Sequence, residues 1–135
     1  MKKILLSLFI FIAMLVTGLS ANAQQTSSAQ PQRLLKHVVL FKFKDASTAS
    51  DITKIEKAFA GLSRTITQIK GFEWGKNNSP ENLNQGLTHC FLVSFASEKD
   101  RDDYLVHPRH KEFVQLAGPH FDKVTVVDYW MEPAI

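Results

Sequence analysis

Several short segments of this sequence alternate like β-strands yet are apolar on both faces. The segment 37–43 is rich in β-branched and aromatic residues, and alternation gives it one face with His37 and Phe41 and a second, aliphatic face. The segments 88–95 and 124–130 have the same character. Because large apolar patches are rarely left in water, both faces of a sheet built from these strands must be covered. This excludes a sheet that packs on one side only.

The histidines of two strands fall on matching faces. On the segment 88–95, His89 and Phe91 lie on one face and Cys90 lies on the other. We infer that His37 and His89 belong to a single aromatic-rich face of the sheet.

Helical periodicity follows the first strand. Apolar residues recur at three- and four-residue spacing through 52–69, and capping side chains are available at 47–51. Gly71 is expected to end this helix in a left-handed conformation. A short strand at 72–76 and a polar loop at 77–86 come next.

Two further helical segments precede the last strand. Ser97 suits the N-cap of the first, and Pro108 suits the first turn of the second, which runs to about Ala117 and ends at 118–119. The order is therefore β-α-β-β-α-β, the split βαβ pattern. It predicts an α+β fold with an antiparallel sheet.

Helices that cover one face of this sheet leave the other face for a second copy of the chain. We therefore expect a homodimer in which two sheets pack face to face and enclose a barrel. Phe41 and Phe91 are expected to lie in that apolar interior.

The N-terminus has the three-part pattern of a secretory signal peptide. Lys2 and Lys3 precede an apolar run at 4–16, and small residues stand at 21–23. The run is shorter than the roughly 20 residues that a spanning helix needs, and no cysteine stands directly after it. We expect a periplasmic or secreted protein with no stable membrane anchor.

These patterns divide the chain into three parts. Residues 1–23 form the signal peptide, 24–33 a polar flexible linker, and 34–133 the folded domain. The linker lacks hydrophobic periodicity, and the domain holds all of the predicted strands and helices.

The charge of the mature chain argues against nucleic acid as a partner. Removing Lys2 and Lys3 leaves 14 of the 16 basic residues against 13 acidic ones, a net charge of +1. No block of Lys and Arg stands out, whereas nucleic-acid binding depends on one. Cys90 is the one cysteine, so an exported chain of this kind cannot form an internal disulfide.

The mature sequence resembles the stress-responsive A/B-barrel (Dabb) domain family over 34–129. The resemblance is carried by the strand at 37–44, by Trp74-Gly75-Lys76, by Thr88-His89 and above all by the Tyr-x-x-His-Pro-x-His segment at 104–110. It implies a ferredoxin-like protomer that dimerises by packing sheet on sheet into an α/β-barrel. The family includes plant stress-induced proteins, bacterial proteins of unknown role and a plant polyketide cyclase.

The resemblance also suggests a site. The tyrosine and the last histidine of the cyclase's segment act on its substrate, and they correspond to Tyr104 and His110. The strand histidines near the cyclase pocket are similar to His37 and His89. We expect Phe41, Phe91 and Trp74 to line the cavity with them. The cavity-lining residues differ from those of the cyclase, so its substrate is not carried over.

Each candidate has a structural alternative. A buried histidine often does no more than complete a hydrogen-bond pair, and Tyr104 and His110 could simply hold a helical corner onto the sheet. His107 is predicted to fix the turn before Pro108. A metal site is not expected, because Pro108 breaks the helix between His107 and His110 and no cysteine or acidic group joins them.

Two functions therefore remain open. The first is a binding protein that holds a small apolar or carbonyl-bearing molecule in the barrel cavity. The alternative is a cyclase- or lyase-like enzyme that needs no cofactor, with His110 as general acid and base and Tyr104 as hydrogen-bond donor.

Overall fold

The computed structural model describes residues 33–133 and contains four strands and three α-helices. The predicted signal peptide, and all of the predicted linker except Arg33, lie outside the described residues. The elements are β1 (Leu35–Phe43), α1 (Ala49–Thr65), β2 (Ile69–Lys76), β3 (His89–Phe95), α2 (Glu98–Val106), α3 (Pro108–Ala117) and β4 (Phe121–Trp130), with a 3₁₀ turn at Gly118–His120 between α3 and β4.

The four strands form one antiparallel sheet in the order β2-β3-β1-β4. Phe41 lies directly opposite His89 across β1 and β3, and His37 lies opposite Asp128 across β1 and β4. Residues that face each other across a ladder point to the same side of the sheet. His37 and His89 therefore share one face, and the prediction of a single aromatic-rich face is confirmed.

The protomer's own helices cover that aromatic-rich face. Phe41 is 2% exposed and Phe91 is fully buried, and the ring of Phe91 stacks on that of Phe59 from α1 with 4.4 Å between centroids. The expectation that Phe41 and Phe91 lie between two sheets is therefore wrong. Sequence alternation identifies the two faces of a strand, but it does not say which of two apolar faces receives the helices.

A capping box begins α1. The Thr48 hydroxyl accepts a hydrogen bond from the Asp51 backbone amide, and the Asp51 carboxylate accepts one from the Thr48 amide. The helix ends at Thr65, and Ile66 is already extended.

Gly71 is not the helix cap that the sequence predicted, because it lies within β2. A Cβ atom at Gly71 would come within 3.3 Å of the Ser94 side chain on β3. The ladder between β2 and β3 shifts its register between Ile69 and Gly71. Close strand approach, and not a left-handed turn, explains a glycine at this position.

A tight corner joins α2 to α3. Ser97 caps α2 by accepting from the Asp100 amide, and the His107 ring caps α3 by accepting from the Arg109 amide at 3.1 Å. Pro108 occupies the first turn of α3. The predicted structural role of His107 is confirmed.

The opposite face of the sheet, here called the outer face, is not covered by any helix among residues 33–133. Tyr129 is 46% and Val127 is 50% exposed. Cys90 also lies on this face, where partial burial raises the pKa of its thiol. Within 33–133, no helix is long and apolar enough to cross a membrane.

Candidate functional site

A cavity of about 360 Å³ lies between the aromatic-rich face and the helical corner. Its wall is mostly aliphatic and aromatic, with a few polar groups from β1, β4 and the corner. Its lining residues are His37, Val39, Phe41, Phe59, Tyr104, Leu105, His110, Phe113, Val114, Gly118, Phe121, Val124, Val126 and Asp128. Apolar walls with a few convergent polar groups are typical of small-molecule sites.

Tyr104 of α2 forms part of the wall of this space. Its side chain is completely buried, and its ring lies 4.4 Å from the His110 ring and 5.9 Å from the His37 ring. The Tyr104 hydroxyl has no hydrogen-bond partner in the described part of the chain. Burial strongly raises the pKa of this phenol, so it stays protonated and able to donate at neutral pH.

His110 stands on the first turn of α3. Its Nδ1 lies 3.1 Å from the Leu105 carbonyl oxygen, which can only accept, so Nδ1 carries the proton. Nε2 is then the acceptor nitrogen of the neutral ring. Burial lowers the pKa of His110, with a smaller opposing effect from the Leu105 carbonyl and a further lowering from His37 and His107. The ring therefore favours the neutral form that can accept a proton.

His37 has a carboxylate partner. Its Nδ1 lies 2.6 Å from Oδ1 of Asp128, and the other Asp128 oxygen accepts from Arg101 of α2 at 2.5 Å. Burial acts to raise the pKa of Asp128, but the hydrogen bonds from Arg101 and His37 outweigh it and lower the pKa. We call His37, Tyr104, His110 and Asp128 the open end of the aromatic-rich face.

The other strand histidine lies at the opposite end of the same face. His89 Nε2 lies 3.1 Å from Oε1 of Glu56, which Lys76 also approaches at 2.9 Å, and His89 Nδ1 lies 2.8 Å from the Thr88 hydroxyl. Burial acts to raise the pKa of Glu56, but Lys76 and His89 lower it overall. We call Glu56, Lys76, Thr88 and His89 the closed end, because both ring nitrogens of His89 have partners.

The structure brings together four of the seven residues that the sequence predicted as catalytic or ligand-binding. His37, Phe41, Tyr104 and His110 line the cavity. The other three do not. His89 belongs to the closed end, Phe91 lies in the core, and Trp74 stacks on Phe91 at 5.4 Å with 42% of its surface exposed.

Sequence reasoning missed Asp128. It is the one charged residue in the run 124–130, and a lone carboxylate among mostly apolar strand residues calls for a partner. The isolated charge could have been noticed in the sequence. However, its partner His37 is 91 residues away, and only the register of β1 and β4 brings the two together.

Among residues 33–133, no cluster of three or more His, Cys, Asp and Glu side chains is placed to hold a metal ion. The polar groups of the open end are instead two imidazoles, a phenol and one carboxylate that is already paired. They are suited to hydrogen bonding and proton transfer.

A four-stranded antiparallel sheet in split βαβ order, with helices on one face, defines a ferredoxin-like α+β domain. The family model described as "Stress responsive A/B Barrel Domain" (Dabb) matches residues 35–131. The chain therefore belongs to the stress-responsive A/B-barrel domain family.

Two curated relatives are similar over most of their own length. A stress-response A/B-barrel domain-containing protein from Arabidopsis thaliana, HS1, is 42% identical over 95 residues, which are 70% of this chain and 87% of that protein. Olivetolic acid cyclase from Cannabis sativa is 32% identical over 95 residues, which are 70% of this chain and 94% of the cyclase.

A solved structure has the same fold. Hydroxynitrile lyase from Passiflora edulis superposes with a TM-score of 0.73, at 23% identity, over 78% of this chain and 99% of that protein. At that identity the similarity is one of fold alone.

Proposed function

We propose that this protein binds a small, neutral, largely apolar molecule through a carbonyl oxygen in the helix–sheet cavity. The observation that carries the proposal is the Tyr104 hydroxyl, which is buried, protonated and without a partner in the described residues. A buried polar group without a hydrogen bond costs about 1–3 kcal/mol. A ligand oxygen that accepts from Tyr104 would recover this free energy.

The walls and the volume support a compact ligand. Apolar side chains such as Val39, Phe113 and Val126 form most of the surface, and the Asp128 charge is already paired with Arg101. A volume of about 360 Å³ is about twelve times the ~30 Å³ that one water molecule takes up in the liquid. A ligand of about a dozen non-hydrogen atoms is therefore the right size.

A matched pair of probes tests the carbonyl. Hexanophenone and hexylbenzene share a phenyl ring and an alkyl chain, and they differ chiefly in the ketone. We expect the wild type to bind hexanophenone about five- to tenfold more tightly by calorimetry, the value of about one hydrogen bond. Tyr104→Phe should remove this preference and leave the affinity for hexylbenzene unchanged.

Tyr129→Phe is the matched control, because Tyr129 is the other tyrosine and lies on the outer face. It should keep the preference for the ketone. Equal binding of the two probes by the wild type would refute the proposed role of Tyr104.

A second candidate function, acid–base catalysis, is favoured by His110. Its Nδ1–H is held by the Leu105 carbonyl, so the neutral ring keeps a free lone pair on Nε2, and its pKa is lowered. Such a ring can take a proton from the carbon next to a ketone while Tyr104 donates to the developing enolate oxygen. The relative named as a cyclase, which is 32% identical, supports this candidate.

Proton exchange tests catalysis without knowledge of the substrate. In D₂O, removal and return of a proton at the α-carbon of hexanophenone replaces hydrogen by deuterium and leaves the ketone otherwise intact. We expect wild-type protein to accelerate this exchange, and His110→Ala to abolish the acceleration while ketone binding persists. Binding without any acceleration by the wild type would leave the binding function and reject the enzyme.

We also infer a homodimer formed through the outer face. The exposed side chains of Val127 and Tyr129 continue into Val38, Leu40 and Leu92, which the protomer covers only in part. Sedimentation at low micromolar concentration should give twice the protomer mass, and Val127→Asp should give a folded monomer. A wild-type monomer at that concentration would contradict the inference.

We further propose export, with cleavage between Ala23 and Gln24, on the strength of the signal-peptide pattern at residues 1–23. Intact-mass measurement on protein from the cell envelope should show a chain that begins at Gln24. A mature chain that still begins at Met1 would contradict the proposal.

A further inference from the structure

The carboxylate that holds His37 is itself held by a residue from another element. Asp128 of β4 uses one oxygen to accept from His37 and the other to accept from Arg101 of α2. The Arg101 side chain is 21% exposed, and its Nε donates to the neighbouring Asp102 at 2.7 Å. Two strands and a helix therefore fix the position and direction of the Asp128 carboxylate.

This arrangement determines the tautomer of His37. An ionised carboxylate can only accept, so the His37 nitrogen 2.6 Å from it must carry the proton. Arg101 contributes to keeping the carboxylate ionised, since its hydrogen bond is the largest of the effects that lower the pKa of Asp128. A guanidinium cannot lose its own proton at physiological pH, which makes it a permanent partner.

The second ring nitrogen of His37 then faces the ligand space as an acceptor. No hydrogen bond within residues 33–133 uses Nε2 of His37, and the residue lines the cavity. The opposite tautomer would turn a lone pair toward the carboxylate and an N–H toward the cavity. The choice of tautomer therefore decides whether this part of the cavity accepts or donates.

We propose that Arg101 is a positioning residue that clamps Asp128, fixes His37 as its Nδ1–H tautomer, and so makes this part of the cavity accept a hydrogen bond. The proposal rests on the ligand-binding function above and adds to it. The ligand carries a hydrogen-bond donor where it meets His37, in addition to the oxygen that accepts from Tyr104.

A purely structural role for Arg101 makes a different prediction. Arg101 would then do no more than fasten α2 to β4, and its loss would lower stability without changing the His37 ring. The decisive readout is therefore the ring nitrogens themselves. Long-range ¹H–¹⁵N NMR distinguishes a protonated from an unprotonated imidazole nitrogen, and it needs no ligand.

The experiment compares variants of the ¹⁵N-labelled mature protein at pH 8, above the ordinary imidazole range. Wild-type His37 should show a protonated Nδ1 and an unprotonated Nε2. In Arg101→Gln the population of the other tautomer should rise about tenfold, as expected for the loss of a charge-assisted hydrogen bond. Arg101→Lys, which keeps the charge, should return most of the wild-type pattern.

Two further variants make the result unambiguous. Asp128→Ala should change the tautomer at least as much as Arg101→Gln. Lys99→Gln is the matched control, because it breaks an exposed pair with Asp103 on the same helix and should leave the His37 signals unchanged.

Wild-type signals in Arg101→Gln or Asp128→Ala would overturn the proposal, as would an equal change in Lys99→Gln. If Arg101→Gln does not fold, the test relies on Asp128→Ala and Arg101→Lys. Because the ligand-free protein is measured, failure of the ketone to bind would count against the proposed function and leave this result untouched.

Discussion

The open and closed ends of the aromatic-rich face place the same residue type in similar surroundings with different outcomes. His37 and His89 are both about 95% buried, both point to the same side of the sheet, and both contact a carboxylate. Phe41 lies directly opposite His89 and four residues along β1 from His37. The two histidines are therefore about 13 Å apart along the strand direction. At the closed end both ring nitrogens of His89 have hydrogen-bond partners, whereas at the open end only Nδ1 of His37 has one among residues 33–133.

The difference shows that burial and a charged partner do not by themselves identify a functional histidine. Most buried polar groups in proteins are hydrogen-bonded, so a satisfied group such as His89 needs no further explanation. A buried group without a partner, as the Tyr104 hydroxyl is among residues 33–133, lowers stability. Unused hydrogen-bonding capacity is therefore the reason for proposing the open end as the site.

The largest expected effect comes from the core that both ends share. Phe91→Asp places a charge in a fully buried aromatic position, and we expect it to cost at least about 5 kcal/mol of unfolding free energy, enough to prevent folding. Phe91→Leu should cost only about 1 kcal/mol. Comparing the two variants separates the effect of a buried charge from that of lost side-chain volume. Equal denaturation midpoints for the two variants would show that Phe91 does not lie in the core.

The closed end should be the more important of the two for stability. Glu56→Ala removes the acceptor of both His89 and Lys76, and we expect a loss of about 2–3 kcal/mol by urea denaturation. Glu112→Ala is the matched control, since it breaks an exposed pair with Arg109 and should cost less than about 0.5 kcal/mol. Equal losses would remove the distinction between the two ends.

The same glutamate should make stability depend on pH. Its pKa is lowered in the folded protein, so its contribution is present above the ordinary value of 4.5 and is lost as the pH falls through the lower folded value. Denaturation between pH 6 and 3 should therefore show a weaker acid dependence in Glu56→Gln than in the wild type. An unchanged slope would contradict the ionised pairing.

His110→Ala should have a small effect on stability and a large one on function. We expect any turnover to disappear while the melting temperature stays within a few degrees, corresponding to less than about 1 kcal/mol. His107→Ala is the comparison, because it removes the cap of α3 and should cost about 1 kcal/mol while His110 and Tyr104 stay in the cavity wall. A larger stability loss for His110→Ala than for His107→Ala would favour a purely structural role for Tyr104 and His110 at the corner between α2 and α3.

Tyr104→Phe should have the smallest effect on stability, and with the opposite sign. It removes a buried hydroxyl that has no partner among residues 33–133, so we expect the free energy of unfolding to stay the same or rise by up to about 1 kcal/mol. Tyr129→Phe should leave stability unchanged. A loss of 1 kcal/mol or more in Tyr104→Phe would mean that the hydroxyl has a partner and that the open end resembles the closed end.

Local patterns predicted much of the fold. The strands, the helical segments and the cap at Ser97 follow from alternation, periodicity and capping residues, which are properties of near neighbours in the chain. The predicted end of α1 was wrong. Ile66 and Ile69 continue the helical spacing but belong to the turn and to β2, where pairing with β3 outweighs helix propensity.

The candidate site was only partly accessible to the same reasoning. Tyr104 and His110 were found because they match the acting positions of a segment that resembles the family's cyclase, and His37 was found through the same resemblance. His89 was grouped with His37 although its hydrogen bonds are complete, because a sequence does not show whether a side chain has found partners. Asp128 and Arg101 were missed for the same reason.

The sequence by itself determined that this chain forms an antiparallel α+β sheet with one aromatic-rich and one aliphatic face, and that two histidines share the aromatic-rich face. Alternation and periodicity are enough for that, because they depend on backbone geometry alone. Only the tertiary structure decided which face the helices cover, which histidine has hydrogen-bond partners on both ring nitrogens, and that Asp128 joins His37 to Arg101. Those outcomes depend on contacts between residues far apart in the chain, whose free energies are set by packing and by strand register.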